Sequence, residues 1–303
     1  MIEINSIYAD KRDAQNFVAE CETGFNTSLS RIADALLSEK GGRYLTLAGP
    51  TCSGKTTTAE KLTALLEAGG RRARVISIDD FYYEKAEMDK MSIDDLEGPD
   101  SINIPLFEKC VNDLSAGRAA RLPTFDFSTR KRICLTEYIP RENDIYIFEG
   151  IQAMYPSVSN VIKPYGFRSI FISVADNASV KGTVFDKNDI RLMRRSVRDF
   201  YHRSASVELT MKLWPAVRAN EEKNIFPLMG KTDFVINSML PYEIFLISSY
   251  YRKVTEGYPA DGFMRDAVYG LREKLCCTAG SAVTAPMIPM DSVFREFIVY
   301  SKL

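Results

Sequence analysis

The stretch that decides the fold is Gly49-Pro50-Thr51-Cys52-Ser53-Gly54-Lys55-Thr56. It fits the pattern G-x-x-x-x-G-K-[ST], in which each fixed position has a physical task. The two glycines let main-chain N–H groups curve around an anion, because no Cβ stands in the way. The lysine places an ammonium group on the outer phosphates, and the threonine hydroxyl can ligate Mg²⁺. The stretch therefore predicts a loop that binds a nucleoside triphosphate.

The residues on either side of this loop support that prediction. Tyr44–Ala48 has the composition of a buried strand, and apolar residues at helical spacing follow the loop until Gly69-Gly70 ends the helix. A loop between a strand and a helix N-terminus is suited to phosphate, because the free amides and the helix dipole favour an anion there. This context argues against a chance match in a glycine-bearing loop.

Composition limits the class of protein. The 303 residues are 46% hydrophobic and 26% charged, which is typical of one large globular domain with additions or of two domains. The formal net charge of −1 gives no overall attraction to nucleic acid or to an anionic membrane. The six cysteines form no C-x-x-C pair, and the first residues do not resemble a secretory signal. We expect a cytoplasmic protein with reduced thiols, and homo-oligomer formation stays open.

Several further segments alternate between strand and helix patterns. Apolar runs at 74–78, 145–148, 168–174 and 234–237 predict strands, with helical segments between them. The predicted fold class is α/β, with a P-loop NTPase-type parallel sheet covered by helices on both faces and with helical terminal additions. Residues 122–132 indicate a hairpin or an irregular arm.

Acidic residues stand where two of these strands end. Ligands of open α/β sheets bind outside the carboxyl ends of the strands, which is where Asp79-Asp80 and Glu149 fall. Phosphoryl transfer to a hydroxyl needs a carboxylate to take the proton and Mg²⁺ to bridge the phosphates. Asp79 is placed to take the proton, and Thr56 and Glu149 are placed to bind Mg²⁺. A shift by one residue would make Asp80 the base, and a turn or cap remains the alternative for the pair.

Four arginines occur at helical spacing in the second half of the chain. Arg191, Arg194, Arg195 and Arg198 are three or four residues apart or adjacent, so they share one helix face. An almost wholly cationic face suits the charge that builds on a transferring phosphoryl group. Binding of nucleic acid and an ordinary surface helix are the alternatives.

With these residues in hand, the chain resembles the uridine kinase and phosphoribulokinase family of P-loop kinases. The matching elements follow the family's order and are Gly49–Thr56, Ser77–Tyr82, Pro99-Asp100, Pro123–Phe127, Phe148–Ile151 and Asp189–Arg195. The resemblance implies a kinase domain over 44–244 that carries a helical lid. The apolar stripe of residues 1–43 predicts an N-terminal helical extension, and we expect residues 245–303 to be a C-terminal helical extension packed on the kinase domain.

The resemblance also implies roles for individual residues. ATP would be bound by Gly49–Thr56 together with Thr57, with Asp79 as catalytic base beside Lys55. Asp100 would bind the sugar hydroxyls, and Arg191, Arg194 and Arg195 would belong to a lid that closes on the phosphates. The remaining residues expected to contact the acceptor are Asp80, Tyr82, Phe125, Arg130 and Arg198.

One departure from the family concerns the acceptor. Pyrimidine nucleoside kinases have Tyr where Phe125 stands and a base-reading His where Arg130 stands. A permanent cation favours carbonyl oxygens, phosphate or carboxylate, so we expect uridine and cytidine to be poor substrates. The alternative is that Arg130 turns outward and a neighbour reads the base.

The sequence therefore predicts an ATP- and Mg²⁺-dependent kinase that phosphorylates a hydroxyl of a small sugar-bearing acceptor, most readily a nucleoside. Two rivals stay open. One is a kinase of another ribose-like or anionic acceptor, and the other is a nucleotide-binding regulatory protein without turnover.

Overall fold

The computed structural model of the protein describes residues 1–38, 42–93 and 98–299. The strands in this part of the chain are β1 (Ile2–Ile4), β2 (Tyr44–Ala48), β3 (Ala73–Ser77), β4 (Ala120–Asp126), β5 (Lys131–Tyr138), β6 (Ile145–Glu149), β7 (Arg168–Ser173), β8 (Ala178–Val180), β9 (Thr183–Phe185) and β10 (Phe234–Asn237).

The α-helices are α1 (Lys11–Ser38), α2 (Lys55–Ala68), α3 (Lys85–Met91), α4 (Ile104–Ser115), α5 (Pro156–Ile162), α6 (Lys187–His202), α7 (Val207–Asn220), α8 (Phe226–Met229), α9 (Glu243–Val254) and α10 (Arg265–Lys274). Short 3₁₀ turns and, within the described ranges, one π turn at Glu221–Ile225 connect some of them.

The centre of the fold is a five-stranded parallel sheet in the order β10-β7-β2-β6-β3. Successive residues of a strand point to opposite faces, so Leu45 and Leu47 pack with α1 and α2, whereas Tyr44 and Ala48 pack with α4 and α5. Both faces are apolar because both are covered by helices. The predicted α/β fold class with a P-loop-type parallel sheet is confirmed.

The sequence located these five strands to within about one residue at each end. The arm predicted after residue 121 is a hairpin, in which β4 and β5 pair antiparallel with a register shift between Thr124 and Phe125. It packs beside the turn Ile78–Phe81 that follows β3. The hairpin therefore lies next to the acidic pair.

The N-terminal extension is not wholly helical, which corrects the prediction for 1–43. After the three residues of β1, which pair parallel with β8, the chain forms the 28-residue helix α1. With β9 these strands make a second, three-stranded sheet that the sequence did not predict. Strands of three residues are too short to show the alternation of apolar and polar residues that indicates a strand, so the sequence did not predict them.

The helix predicted to form the lid is α6. Its residues from Ile190 to Asp199 are all buried, because α7 and α9 pack against it. It therefore lies inside the fold, behind the phosphate loop, and does not stand over an open site. Across the described ranges, no helix is both long enough and apolar enough to cross a membrane.

Candidate active site

The loop Gly49–Thr56 connects β2 to α2, as the sequence predicts. Gly49 has no room for a side chain, because a Cβ there would stand 2.0 Å from the main-chain oxygen of Ile172. Gly54 has a φ of +83°, in the left-handed region that favours glycine, and a Cβ there would stand 2.2 Å from Cγ2 of Val293. Both glycines of the motif are therefore required by the backbone and its neighbours.

The inner surface of the loop offers donors for an anion. Lys55 Nζ donates to the Pro50 carbonyl at 3.1 Å, which keeps the ammonium group against the loop. Within the described residues, no side chain caps the first amides of α2, and the buried Ser53 hydroxyl has no hydrogen-bond partner. Free amides at a helix N-terminus beside a lysine are an arrangement that binds phosphate.

Glu149 lies between the loop and Asp79. The sheet register pairs it with Leu47 of β2 on one side and with Ser77 of β3 on the other. Burial raises the pKa of Glu149 to about 7, and the charges of Asp79 and Glu296 add to this rise. Lys55 and a hydrogen bond from Thr56 oppose it. One carboxylate, one ammonium group and one hydroxyl thus meet at the mouth of the loop.

Asp79 and Asp80 have different surroundings. A Cβ at Gly150 would stand 3.3 Å from Asp79 Oδ1, so this glycine lets the Asp79 carboxylate lie against the end of β6. Asp80 Oδ1 instead accepts the main-chain N–H of Phe125 at 2.9 Å and holds the hairpin. Burial raises the pKa of Asp80, and that hydrogen bond partly offsets the rise. Asp79 thus lies beside the end of β6 and next to Glu149, whereas Asp80 is engaged with the hairpin.

Tyr82 connects the acidic pair to the predicted acceptor site. Its hydroxyl donates to Gln152 Oε1 at 2.8 Å and lies 3.5 Å from Asp79 Oδ1. Gln152 donates in turn to the Ser101 hydroxyl at 2.9 Å. Asp100, the residue before Ser101, is exposed. A buried chain of hydrogen bonds therefore joins Tyr82 to the loop that carries Asp100.

The two positions that depart from the family have separate environments. Phe125 is buried, and its ring packs edge-to-face on Tyr82 with centroids 5.6 Å apart. Arg130 is exposed at the turn of the hairpin with a φ of +52°, and its carbonyl accepts from Lys85 N at 3.1 Å. The structure places Phe125 beside Tyr82 and leaves the Arg130 side chain in solvent.

Arg194 holds the phosphate loop from behind. Its guanidinium makes five hydrogen bonds, two to the Glu243 carboxylate, one to the Cys52 carbonyl, and two to the hydroxyl and carbonyl of Ser238. A guanidinium has five N–H groups, so none remains for a phosphate. The expected contact of Arg194 with phosphate is therefore not the arrangement seen here.

Arg191 has a similar position one turn earlier on α6. Its Nε donates to the Thr51 carbonyl at 3.2 Å, and its guanidinium forms an ion pair with Glu221. Glu221 also accepts the Thr51 N–H at 3.1 Å, and it lies in the π turn after α7. Burial lowers the pKa of Arg191, and Glu221 partly offsets that effect. Arg191 and Glu221 thus clamp both main-chain groups of one loop residue.

The other two arginines of α6 share an acid on their own helix. Arg195 and Arg198 both pair with Asp199, at 3.3 and 2.7 Å. Burial would lower the pKa of Arg198, but negative charges that include Asp199 and Glu296 outweigh it and raise that pKa. The cationic face predicted from spacing is therefore neutralised by acids.

Several of the residues that shape the loop were missed by the sequence analysis. Glu221 and Glu243 are far from the arginines in sequence, and nothing in their local pattern marks them. Val293 presses on Gly54, and the ring of Phe297 lies 4.7 Å from the Arg194 guanidinium carbon. The C-terminal segment 289–299 is therefore part of the support of the loop.

The donor set fits Mg²⁺ bound together with a triphosphate. In the described residues no three acidic, histidine or cysteine side chains are close enough to hold a metal by themselves. Mg²⁺ takes one or two protein oxygens and completes its shell with phosphate and water, so a protein cage is not needed. The Thr56 hydroxyl and the Glu149 carboxylate, next to each other at the loop, are the residues that could hold it.

The fold and the site define a P-loop nucleotide-binding protein of the α/β class. A family model described as the phosphoribulokinase / uridine kinase family matches residues 44–244, which is more than half of the chain. The chain belongs to the phosphoribulokinase and uridine kinase family.

The individual relatives described next are each less than 30% identical to this chain. The chain is 28% identical to uridine-cytidine kinase B of Dictyostelium discoideum over 53% of its own length and 59% of that protein's length. It is 29% identical to uridine-cytidine kinase 2-B of Danio rerio, over 63% of this chain and 70% of that protein. A solved structure of a possible uridine kinase from Bacillus stearothermophilus aligns with a TM-score of 0.43 at 16% identity, over 69% of this chain and 97% of that one.

Proposed function

We propose that the protein transfers the γ-phosphate of ATP, with Mg²⁺, to a hydroxyl of a small sugar-bearing acceptor, most readily a nucleoside. The observation that carries the proposal is the position of Asp79, beside Gly150 and next to Glu149, at the mouth of the phosphate loop. A regulatory protein that only bound nucleotide would not need a carboxylate there.

The proposed reaction follows from the side chains at the loop. The acceptor hydroxyl oxygen attacks the γ-phosphorus, the bond to the β–γ bridging oxygen breaks, ADP leaves, and Asp79 takes the hydroxyl proton. Lys55 and the loop amides bind the phosphates and keep them in line with the acceptor. Thr56 and Glu149 would hold Mg²⁺, which neutralises phosphate charge when bound.

The acceptor site in this proposal lies between the acidic turn and the hairpin. Tyr82 and Phe125 supply an apolar wall, and the exposed Asp100 is suited to hydroxyl groups of a sugar. The hydrogen bond from Phe125 N occupies one oxygen of Asp80, which favours a positioning role for that residue. A ribose-like or anionic acceptor that recruits Arg130 is the second candidate, because this exposed cation stands at the rim.

The test is ADP release measured over nucleosides, ribose derivatives and other small alcohols, in the native protein and in two matched variants. Asp79→Asn should lower kcat by about 10²–10⁴ while ATP binding persists, since only the proton acceptor is lost. Asp80→Asn keeps the shape of the neighbouring carboxylate and should retain most turnover. A fully active Asp79→Asn, or ATP binding with no acceptor-dependent release, would contradict the proposal.

A further inference from the structure

A large cavity lies beside the phosphate loop, between the two terminal additions. Its volume is about 760 Å³, and its walls come from α1, from α2 and from the C-terminal residues 290–296. Pockets for small ligands typically measure about 300–1,000 Å³. We call it the terminal cavity, and its lining residues include Asn26, Thr57, Ala64, Met290 and Glu296.

The terminal cavity adjoins the first turn of α2, the helix that follows the phosphate loop. Thr57 belongs to the first turn of α2, two residues after Lys55, and its side chain lines the cavity. The hairpin residues of the acceptor side pack in the apolar cluster on one sheet face, whereas α1, α2 and residues 293–298 pack in the cluster on the other. If the γ-phosphate lies at Asp79, as the proposed function requires, the other end of the triphosphate can extend past Thr57 into the cavity.

The charges of the cavity do not suit another phosphate. Lys61 donates to the Asp291 carbonyl at 2.9 Å and forms an ion pair with its carboxylate. Arg295 donates to the carbonyls of Ile288 and Pro289. Both cations of the wall are thus engaged with the C-terminal segment, Lys61 with an acid and Arg295 with main-chain carbonyls.

The terminal cavity presents hydrogen-bond acceptors to a ligand. Asn26 Oδ1 and Glu296 Oε2 are buried atoms without a hydrogen-bond partner among the described residues. A buried acceptor left unpaired is costly, so these two atoms favour a ligand that brings N–H or O–H groups. Ala64 and the exposed side chain of Met290 add apolar surface next to them.

We propose that the terminal cavity binds the nucleoside end of the donor nucleotide, with Asn26 accepting from the base and Glu296 from a ribose hydroxyl. Asn pairs well with the N6/N7 edge of adenine, which makes ATP the expected donor. The inference rests on the proposed function, and it assigns donor recognition to residues outside the 44–244 region that matches the family.

The test compares ATP with inorganic tripolyphosphate by calorimetry, because tripolyphosphate has the phosphates and lacks the nucleoside. Asn26→Leu removes the acceptor at similar size, and Ala64→Trp fills the cavity from an exposed helix position. Each should weaken ATP binding about tenfold while tripolyphosphate binding stays within about twofold, since one hydrogen-bond partner or the space for the base is lost. Asn16→Leu makes the same change at an exposed site on α1 and should bind both ligands as the native protein does.

Three results would overturn the inference. Native ATP affinity in both cavity variants, or native protein that binds ATP no more tightly than tripolyphosphate, would show that the nucleoside lies elsewhere. Equal loss of both ligands in the two cavity variants would also contradict the inference, because the cavity would then act on the phosphates and not on the nucleoside. Native protein that binds neither ligand would instead refute the proposed function itself.

Discussion

The buried pair of Arg194 and Glu243 allows a sharp prediction about stability. Both side chains are 0% exposed, and five hydrogen bonds leave the guanidinium. Arg194→Met keeps much of the length but leaves a buried carboxylate whose remaining hydrogen-bond partner among the described residues is the main-chain N–H of Leu240. Breaking a buried pair from one side typically costs about 3–5 kcal/mol. We expect the free energy of unfolding to fall by about that amount.

The loss of stability in Arg194→Met should depend on pH. Burial raises the pKa of Glu243, and Arg194 opposes that rise. Without Arg194 the folded state would hold a proton on Glu243 more tightly than the unfolded chain does, so stability falls as pH rises above the unfolded pKa. The variant should therefore lose more stability at pH 8 than at pH 5.

Urea unfolding followed by the fluorescence of Trp214, the single tryptophan, measures both effects. Arg195→Met is the matched control, because Asp199 keeps its contacts with Arg198 and Arg203 when Arg195 is removed. We expect that control to cost about 1 kcal/mol. If Arg194→Met were no less stable than the control and lost only kcat, the guanidinium would be acting on phosphate and the support role would be refuted.

Three further predictions concern the site itself. Lys55→Ala should abolish ADP release and weaken ATP binding by about tenfold or more in calorimetry, because a charged hydrogen bond to phosphate is lost; an unchanged affinity would contradict the loop assignment. Glu149 has a folded pKa of about 7 against an ordinary 4.5, so the free energy of unfolding without Mg²⁺ should fall between these pH values and stay level above them. Glu149→Gln should abolish this pH dependence of stability, measured by thermal unfolding. A variant that keeps the native pH profile would contradict the raised pKa of Glu149. The double change Phe125→Tyr and Arg130→His should raise kcat/KM for uridine from a low native value. Efficient phosphorylation of uridine by the native protein, with no improvement in the double variant, would refute the expectation that these two residues disfavour uridine.

Local patterns were enough to predict the sheet and the loop. Apolar runs ended at Ala48, Ser77 and Glu149 within about one residue, because a strand buried on both faces leaves a continuous apolar signal. The rule that ligands lie at the carboxyl ends of parallel strands then brought Asp79 and Glu149 to the same edge. Those predictions needed only periodicity and topology.

The interpretation of the arginine helix needed information that spacing does not contain. Arg191 and Arg194 do share a helix face, but their partners, Glu221 and Glu243, are 30 and 49 residues further along the chain. A cationic face and a buried face paired with acids look alike in sequence, and only the packing of α7 and α9 tells them apart. The different surroundings of Asp79 and Asp80 likewise depend on a long-range contact, because Asp80 accepts a main-chain N–H from the hairpin.

The supports of the phosphate loop have a consequence for the order in which the protein matures. The loop is complete by residue 56, yet its contacts come from Arg191, Glu221, Arg194 and Val293, the last of these nearly 240 residues later. During synthesis, therefore, the first strand and helix emerge from the ribosome long before the groups that hold the loop in shape. A nascent chain stopped near residue 240 would already contain the whole motif, but it would lack both Glu243, the partner of Arg194, and Val293, the neighbour of Gly54.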